Sequence, residues 1–394
     1  MKHGDYLTVK WGTAVTRKIL DSLGSPDDSL KIIHIAGTNG KGSTAEFFTQ
    51  ILIAAGKKVG TFTSPAVYDF YDQFRIDGKS MSEEVAERYF ERALSVSEDL
   101  QPTDFEIQTA GVLHAFKEEG CEYAVIECGM GGLNDATNAI NRKELAVITS
   151  VSLEHTGYLG NTVAEICAQK AGIIKNCPTV INHFQPSEEA RNYFKQIGGY
   201  FANRITYAGG NIFWYCDREY ELSALGACQV YNAATAIDGA KILGIPEAAI
   251  YEGIKNTKPA GRLDIINANG REYILDGAHN PMAFEPLHAY LGGSHGAEYA
   301  EDVTIVFGCL KDKDVDGILQ RLAGLADRII AVHCPSVRAM DVEKTVNACK
   351  KYFYDVSCAE SVSDALNRAY GKTVVVCGSF TILKEAREWI EKGQ

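Results

Sequence analysis

The chain has 394 residues, a formal net charge of −12, 46% hydrophobic residues and 23% charged ones. That length suits two or three domains, and that composition supplies a large apolar core with no signature of disorder. The acidic balance argues against a protein that coats nucleic acid, which needs a basic face, but leaves small anionic ligands open, because a few Lys, Arg and backbone N–H groups suffice for a phosphate.

Met1–Lys10 carries no apolar signal core. No run approaches ~18 apolar residues, so no membrane span is expected. The eleven cysteines are scattered, without a CxxC pair or a zinc spacing. Those inside apolar runs, such as Cys128 and Cys377, read as buried reduced thiols of a cytoplasmic protein.

Strands are expected at Lys31–Ala36, Tyr123–Cys128, Ala146–Ser150, Thr179–Ile181, Tyr273–Asp276, Val303–Gly308, Arg328–His333 and Thr373–Gly378. Most are near-continuous Val/Ile/Leu runs, as in a parallel sheet covered on both faces. Amphipathic segments alternate with them, at Ser43–Ala55, Met81–Leu94, Asn232–Leu243 and Val315–Ala323. The alternation argues for an α/β doubly wound architecture. Pro259 and Gly261, after the helical pattern of Pro246–Ile254, mark a boundary. The expected division is a domain over 1–258, a linker over 259–266 and a domain over 267–394. The Gly-rich patch Gly292–Gly296 reads as a surface loop.

The first strand runs into Gly37-Thr38-Asn39-Gly40-Lys41-Gly42-Ser43, and a helical pattern follows. Strand, glycine-rich turn, Lys, hydroxyl and helix is the context of a phosphate loop. Glycines let backbone N–H groups approach phosphate oxygens, the new helix presents its positive end, and Lys41 adds a point charge. The spelling departs from the general pattern, since Gly42 separates Lys41 from Ser43.

That spelling, from His34 to Ser43, resembles the phosphate loop of folylpolyglutamate and dihydrofolate synthases, relatives of the Mur ligases. Further blocks follow in that family's order: Thr63-Ser64-Pro65, Thr103-Asp104-Phe105-Glu106, Glu127 to Asn138, Leu153-Glu154-His155, Lys170 to Lys175, Gln229 with Asn232-Ala233, Gly261-Arg262-Leu263, Asp276 to Pro281, Asp312-Lys313-Asp314 and Cys377-Gly378-Ser379. Together they span nearly the whole chain.

The resemblance implies an N-terminal P-loop domain of Mur-ligase type plus a smaller C-terminal Rossmann-like α/β domain. It implies an ATP-dependent ligase that phosphorylates a pteroate or folate carboxylate and lets the amine of L-glutamate attack the acyl phosphate. It assigns Thr38, Asn39, Gly40, Lys41, Gly42 and Ser43 to the ATP phosphates. Glu127 and Ser64 become Mg²⁺ ligands, and His155 binds a second Mg²⁺. Lys170, in a helical stretch, is carbamylated in many members; otherwise it reads as a solvated helix Lys.

The same resemblance gives Asp276 to the ribose, against a turn-capping Asp, and His279 to the transferred phosphate. Arg262 lies at the domain junction, where closure would bring it to the phosphates; the alternative is an interdomain salt bridge. Asn232 contacts adenine or caps a helix. Thr103, Phe105 and Asp135 match positions that hold dihydropteroate, with Phe105 either stacking on the ring or filling the core. A monovalent cation fits the same scheme, and a monomer is expected.

The chain departs from the pattern at Ala66, Tyr71–Phe74, Leu133, Cys228 and Glu154, where the family has His, an Asn-Glu-Arg-Ile stretch, Arg, His and Asp. The ATP and metal positions are intact while loop positions facing the acceptor have drifted. Two alternatives remain: a Mur-like ligase with another carboxylate acceptor, and a P-loop NTPase without ligase activity. The second has no use for the Asp276–Pro281 and Asp312–Asp314 blocks.

Overall fold

The computed structural model describes residues 12–393 except 199, 204, 210 and 296–301, so Met1–Lys10 and Gly296 lie outside the described residues. The chain forms two compact units. The first takes the chain up to Pro65, then Tyr71–Ser223 and Cys228–Lys258; the second takes Ala66–Phe70, Ala224–Ala227 and everything from Pro259.

The strands of the first unit are β1 (Lys31–Ala36), β2 (Val59–Phe62), β3 (Phe74–Ile76), β4 (Lys79–Ser80), β5 (Tyr123–Glu127), β6 (Leu145–Ile148), β7 (Thr179–Ile181) and β8 (Tyr200–Phe201), with β9 (Thr206–Gly209), β10 (Ile212–Tyr215) and β11 (Arg218–Glu221) apart. The main sheet has the order β4-β3-β2-β5-β1-β6-β7-β8. It is parallel from β2 to β8, with β3 and β4 added antiparallel at one edge. Every residue of β2, β5 and β6 is buried, which explains their uninterrupted apolar runs.

Its helices are α1 (Ala14–Ser22), α2 (Lys41–Ala54), α3 (Glu83–Ser95), α4 (Asp104–Glu118), α5 (Thr156–Leu159), α6 (Val163–Ala171), α7 (Glu188–Gln196), α8 (Ala227–Ile242) and α9 (Glu247–Asn256). Two begin with reciprocal caps: Thr103 with Glu106 opens α4, and Thr162 with Glu165 opens α6. One sheet face packs Ala36, Ile148 and Ile181 against Ile166 and Cys167 of α6 and Phe194 of α7.

The small sheet β11-β10-β9 is antiparallel and was not foreseen. Its Phe213, Tyr215 and Tyr220 point inward while Trp214 stays exposed. The β10–β11 turn places Cys216 (φ 49°) and Asp217 (φ 59°) in the left-handed region. Hairpin turns of that kind usually carry Asn-Gly or Asp-Gly, so the sequence offered no turn signal.

The second unit holds β12 (Asp264–Ala268), β13 (Arg271–Asp276), β14 (Val303–Phe307), β15 (Arg328–Ala331), β16 (Asp355–Cys358) and β17 (Thr373–Cys377), ordered β12-β13-β17-β14-β15-β16. Only the edge strand β12 is antiparallel. Its first three residues, Asp264–Ile266, fall in the stretch read as linker. Helices α10 (Glu285–His295), α11 (Val315–Leu322), α12 (Val342–Cys349), α13 (Val362–Arg368) and α14 (Leu383–Lys392) cover the faces. Helix α10 corrects the expected loop at Gly292–Gly296, because it runs through Gly292 and Gly293 to His295. Burial of its Leu287 and Leu291 against Ile274, Ile305 and Ile318 outweighs the ~1 kcal/mol that each helical glycine costs.

Among the described residues no helix is long and apolar enough to cross a membrane. All eleven cysteines are free thiols.

Candidate active site

The loop after β1 is shaped by two close approaches. Gly37 (φ 153°) leaves no room for a side chain, since a Cβ there would lie 1.7 Å from Thr149 Oγ1. Gly40 (φ 92°) would place one 2.5 Å from Asn232 Oδ1. The Thr38 amide donates to Ser150 O (2.8 Å) and its hydroxyl to Ser152 O (3.1 Å), pinning the loop to the chain after β6. Helix α2 begins at Lys41, with Gly40 as N-cap and no capping side chain. Its first-turn amides and positive end are therefore presented to an anion. Lys41 Nζ donates to Thr38 O (3.2 Å) and stands 3.9 Å from Glu127 Oε1.

Glu127 ends β5 opposite Ile35 of β1, at the carboxyl edge of the sheet. It is buried, and its Oε2 accepts from the Ser64 amide (3.3 Å). Lys41, Glu127 and Ser64 are thus brought together beside the phosphate loop. His155 takes φ 46° at the start of α5, an uncommon conformation for a residue with a side chain.

Lys170 is not a solvated helix residue. It is 1% exposed, its Nζ lies 2.5 Å from Glu154 Oε1, and it donates to Gly37 O (2.8 Å). Burial pushes the Glu154 carboxyl up, but Lys170, Lys41 and His155 outweigh it and hold the group at about 2. Burial draws the Lys170 ammonium below the usual lysine range, and Glu154 opposes that. The pair ties α6 to the first residue of the phosphate loop. Glu154 was noted in the sequence only as a departure; its contact with Lys170 is tertiary and left no local signal.

Asn232 sits inside α8, five residues past its first, so the helix-cap alternative is excluded. A chain of carboxamides runs from the loop outward: Gln229 Nε2 donates to Ser43 Oγ (3.2 Å), Asn232 Nδ2 to Gln229 Oε1 (3.1 Å), and Asn182 Nδ2 to Asn232 Oδ1 (3.3 Å). Asn182, just after β7, was missed because nothing near it in sequence marks it.

The three residues expected at the acceptor differ in what they touch. Thr103 spends its hydroxyl on the cap of α4, accepting from the Glu106 amide (3.3 Å) and donating to Glu106 Oε2 (2.9 Å). Phe105 is half-buried; one side meets Phe62 (centroids 5.6 Å apart) and Gly129. Asp135 is buried and caps the short turn Ala136–Ala139, with Oδ1 accepting from Thr137 N (3.0 Å) and Oδ2 from Met130 N (2.8 Å).

In the second unit Asp276 ends β13 and is buried, its oxygens accepting from Ala278 N (2.8 Å) and Leu263 N (3.3 Å). Burial raises its carboxyl to about 6 against the opposing charge of Arg262. Arg262 lies 4.6 Å over the Phe380 ring, and the His279 ring is 6.0 Å from the same ring. His279 Nδ1 is 2.9 Å from Gly277 O. Phe380, a shared platform for Arg262 and His279, was missed because an isolated Phe after Gly-Ser reads as core.

Among the described residues no three His, Cys, Asp or Glu side chains gather as a ready metal cage. Mg²⁺ does not ask for one: it keeps several waters and takes one or two protein oxygens plus phosphate. A lone buried carboxylate beside the phosphate loop, with a serine next to it, fits that habit.

A family model described as Mur ligase middle domain matches residues 35–238, and one described as Mur ligase, glutamate ligase domain matches residues 261–380. The chain is 31% identical over 416 residues to the probable dihydrofolate synthetase of Schizosaccharomyces pombe, covering 98% of this chain and 99% of that one. Escherichia coli FolC, solved in complex with DHPP and ADP, aligns with a TM-score of 0.87 at 27% identity over 99% of this chain and 96% of that one. The bifunctional folylpolyglutamate synthase/dihydrofolate synthase of Yersinia pestis c092, solved with AMPPNP and Mn ion, aligns with a TM-score of 0.83 at 26% identity over 99% and 96%.

A phosphate loop on a parallel sheet, followed by a glutamate ligase domain, defines an ATP-dependent amide-forming ligase of the Mur type. A simple P-loop NTPase is thereby set aside. The chain belongs to the folylpolyglutamate synthase/dihydrofolate synthase family, whose reaction is ATP-dependent ligation of glutamate.

Proposed function

We propose that this chain joins L-glutamate to the carboxylate of dihydropteroate, of a folate, or of both. The observation that carries the reading is the convergence of Lys41, Glu127 and the Ser64 amide beside the N-terminus of α2, which no side chain caps. The acceptor carboxylate attacks the γ-phosphorus of ATP; a new O–P bond forms, the β–γ bridging bond breaks and ADP departs. The glutamate amine then attacks the acyl carbon, the C–O bond to phosphate breaks, and the amine gives up its proton.

The protein's contribution is position and charge. Thr38 to Ser43 cradle the phosphates, and Lys41 neutralises the group in transfer. Glu127, with the Ser64 hydroxyl and waters, would hold Mg²⁺, and His155 would serve a second ion; when bound, these ions neutralise phosphoryl charge. Asn232 meets the adenine side of the nucleotide. Asp276 takes the ribose hydroxyls, while Arg262 and His279 serve the transferred phosphate. Phe105 offers its open side to the pterin, with Asp135 and Thr103 at that pocket.

Lys170 in this reading works as an ammonium latch on Gly37. A carbamate there would set two anions against each other at Glu154. The intact mass of the purified protein separates the two states. The enzyme acts as a monomer in a reducing cytoplasm, in keeping with its free thiols.

Purified protein given ATP and Mg²⁺ is expected to release phosphate only when both glutamate and a pteroate or folate are present. Release indifferent to both overturns the reading. Mass spectrometry of products from dihydropteroate and from folate assigns the acceptor, and replacing K⁺ by a bulky ammonium tests for a monovalent cation.

A further inference from the structure

Three buried side chains are joined end to end beneath the loop that follows β5. His34 lies in β1 and Thr137 in the turn Ala136–Ala139, both 0% exposed, and Asp135 caps that turn. His34 Nε2 is 2.7 Å from Thr137 Oγ1, and Thr137 Oγ1 is 2.5 Å from Asp135 Oδ1. Cys128 Sγ stands 3.1 Å from the same Nε2. His34 Nδ1 is buried without a partner.

A hydroxyl has one proton to give. Two proton arrangements are therefore open along the line. In one, Thr137 donates to an ionised Asp135 and accepts from His34 Nε2–H. In the other, a protonated Asp135 donates to Thr137, Thr137 donates to a bare Nε2, and the histidine proton moves to Nδ1. The second buries an N–H donor with nothing to receive it, and it weakens the bonds from Met130 N and Thr137 N, which favour a carboxylate; burial alone pushes Asp135 the other way, toward its protonated form. The first leaves unmatched the bare Nδ1 acceptor and the weak S–H donor of Cys128, a smaller cost than a stranded N–H. Burial, with Lys143 and Lys175 nearby, holds the imidazole neutral.

We infer that His34 is a positioning residue for the acceptor: as the Nε2–H tautomer it donates to Thr137 Oγ1, which obliges that hydroxyl to point at Asp135 Oδ1 and so fixes the rotation of the carboxylate. With Oδ1 held by Thr137, Oδ2 is turned to the Met130 amide, and the Gly129–Met130 loop is held with it. This deepens the proposed function and rests on its assignment of Asp135 to the acceptor pocket. His34 touches no substrate in this account; it acts through Thr137.

Two measurements test it on the full-length enzyme. Long-range ¹⁵N–¹H spectra, with the His34 signals assigned by their loss in His34→Gln, are expected to show an Nε2–H tautomer; an Nδ1–H tautomer or an imidazolium overturns the inference. In steady-state kinetics, His34→Leu is expected to raise the acceptor KM about tenfold, the loss of roughly one well-placed hydrogen bond, with kcat and the ATP KM within about twofold. His34→Gln, whose side-chain amide can donate to Thr137, recovers most of that loss. Thr137→Val reproduces His34→Leu, and the double variant adds little, as members of one network should. Asp135→Asn separates the two claims. If it leaves the acceptor KM unchanged, the assignment of Asp135 fails. If it raises the acceptor KM while His34→Leu and Thr137→Val do not, the inference about His34 fails and that assignment stands.

Discussion

Lys170 Nζ and Glu154 Oε1 lie 2.5 Å apart, with Lys170 wholly enclosed and also bound to Gly37 O. Removing one partner strands a buried charge, which costs on the order of 3–5 kcal/mol; removing both costs far less. Glu154→Leu and Lys170→Met are each expected to lower the urea midpoint sharply, and the double variant to recover much of the loss. Strict additivity in urea titrations would contradict the pairing.

Lys143 gives a pH signature. Its Nζ donates to Asn138 Oδ1 (2.7 Å) and Ile173 O (2.8 Å), and burial, helped by Lys175, brings its pKa down to about 7. An unfolded lysine keeps its proton to ~10.4. Between those values the unfolded chain holds the extra proton, so stability rises with pH, by up to about 5 kcal/mol from this group. Thermal melts between pH 7 and 10 should show that rise in the wild type and its loss in Lys143→Met. Parallel slopes in the two proteins would refute the assignment.

Asp276 shifts the opposite way for an acid. Burial keeps its carboxyl protonated up to about pH 6, whereas an unfolded Asp ionises near ~3.9. The native state holds the extra proton between these values, so stability from this group is present below ~3.9 and falls as pH rises to about 6. The ionised form is the better acceptor for ribose hydroxyls. The ATP KM should therefore climb below pH 6 in the wild type by close to ~10-fold per pH unit, and stay nearly flat in Asp276→Asn. Matching pH profiles would remove Asp276 from the nucleotide site.

The parts of this molecule that could be read in advance are those encoded locally. The run from Lys31 to Ala36, the glycines after it and the hydroxyl at Ser43 specify strand, loop and helix within thirteen consecutive residues, and the structure has β1 and the start of α2 there. What local reading missed depends on distant partners. Asn232 followed by small residues reads as a helix start, yet α8 begins at Ala227 and the Asn is engaged by Asn182 and Gln229. Gly292 and Gly293 read as a loop, yet Leu287 and Leu291 carry the helix through them. Phe380 and Glu154 acquire meaning only through Arg262, His279 and Lys170.

Lys41 and Glu127 flank the phosphate loop at 3.9 Å. Lys41→Ala is expected to cut kcat by about 10³-fold or more, as loss of a charge aimed at a transferring phosphoryl group does. Glu127→Ala should do likewise and raise the Mg²⁺ concentration needed for half-maximal rate. Both should remain folded, with wild-type far-ultraviolet circular dichroism, so that the loss of rate is a loss at the site. Full ligation by either variant would displace the site from this loop.

Phe105 is half-buried, with Phe62 and Gly129 against its ring. Phe105→Leu keeps the packing and loses the aromatic face. It should raise the acceptor KM roughly 5- to 10-fold, the worth of about 1 kcal/mol of stacking, with the ATP KM unmoved. An unchanged acceptor KM would return Phe105 to the core.

The chemistry proposed beside Lys41 and Glu127 is tested most directly by isotope transfer. An acceptor whose carboxylate carries ¹⁸O, incubated with the protein, ATP, Mg²⁺ and glutamate, should pass one labelled oxygen to each phosphate released as the amide forms. Phosphate released without the label would contradict an acyl-phosphate ligase and leave only nucleotide hydrolysis.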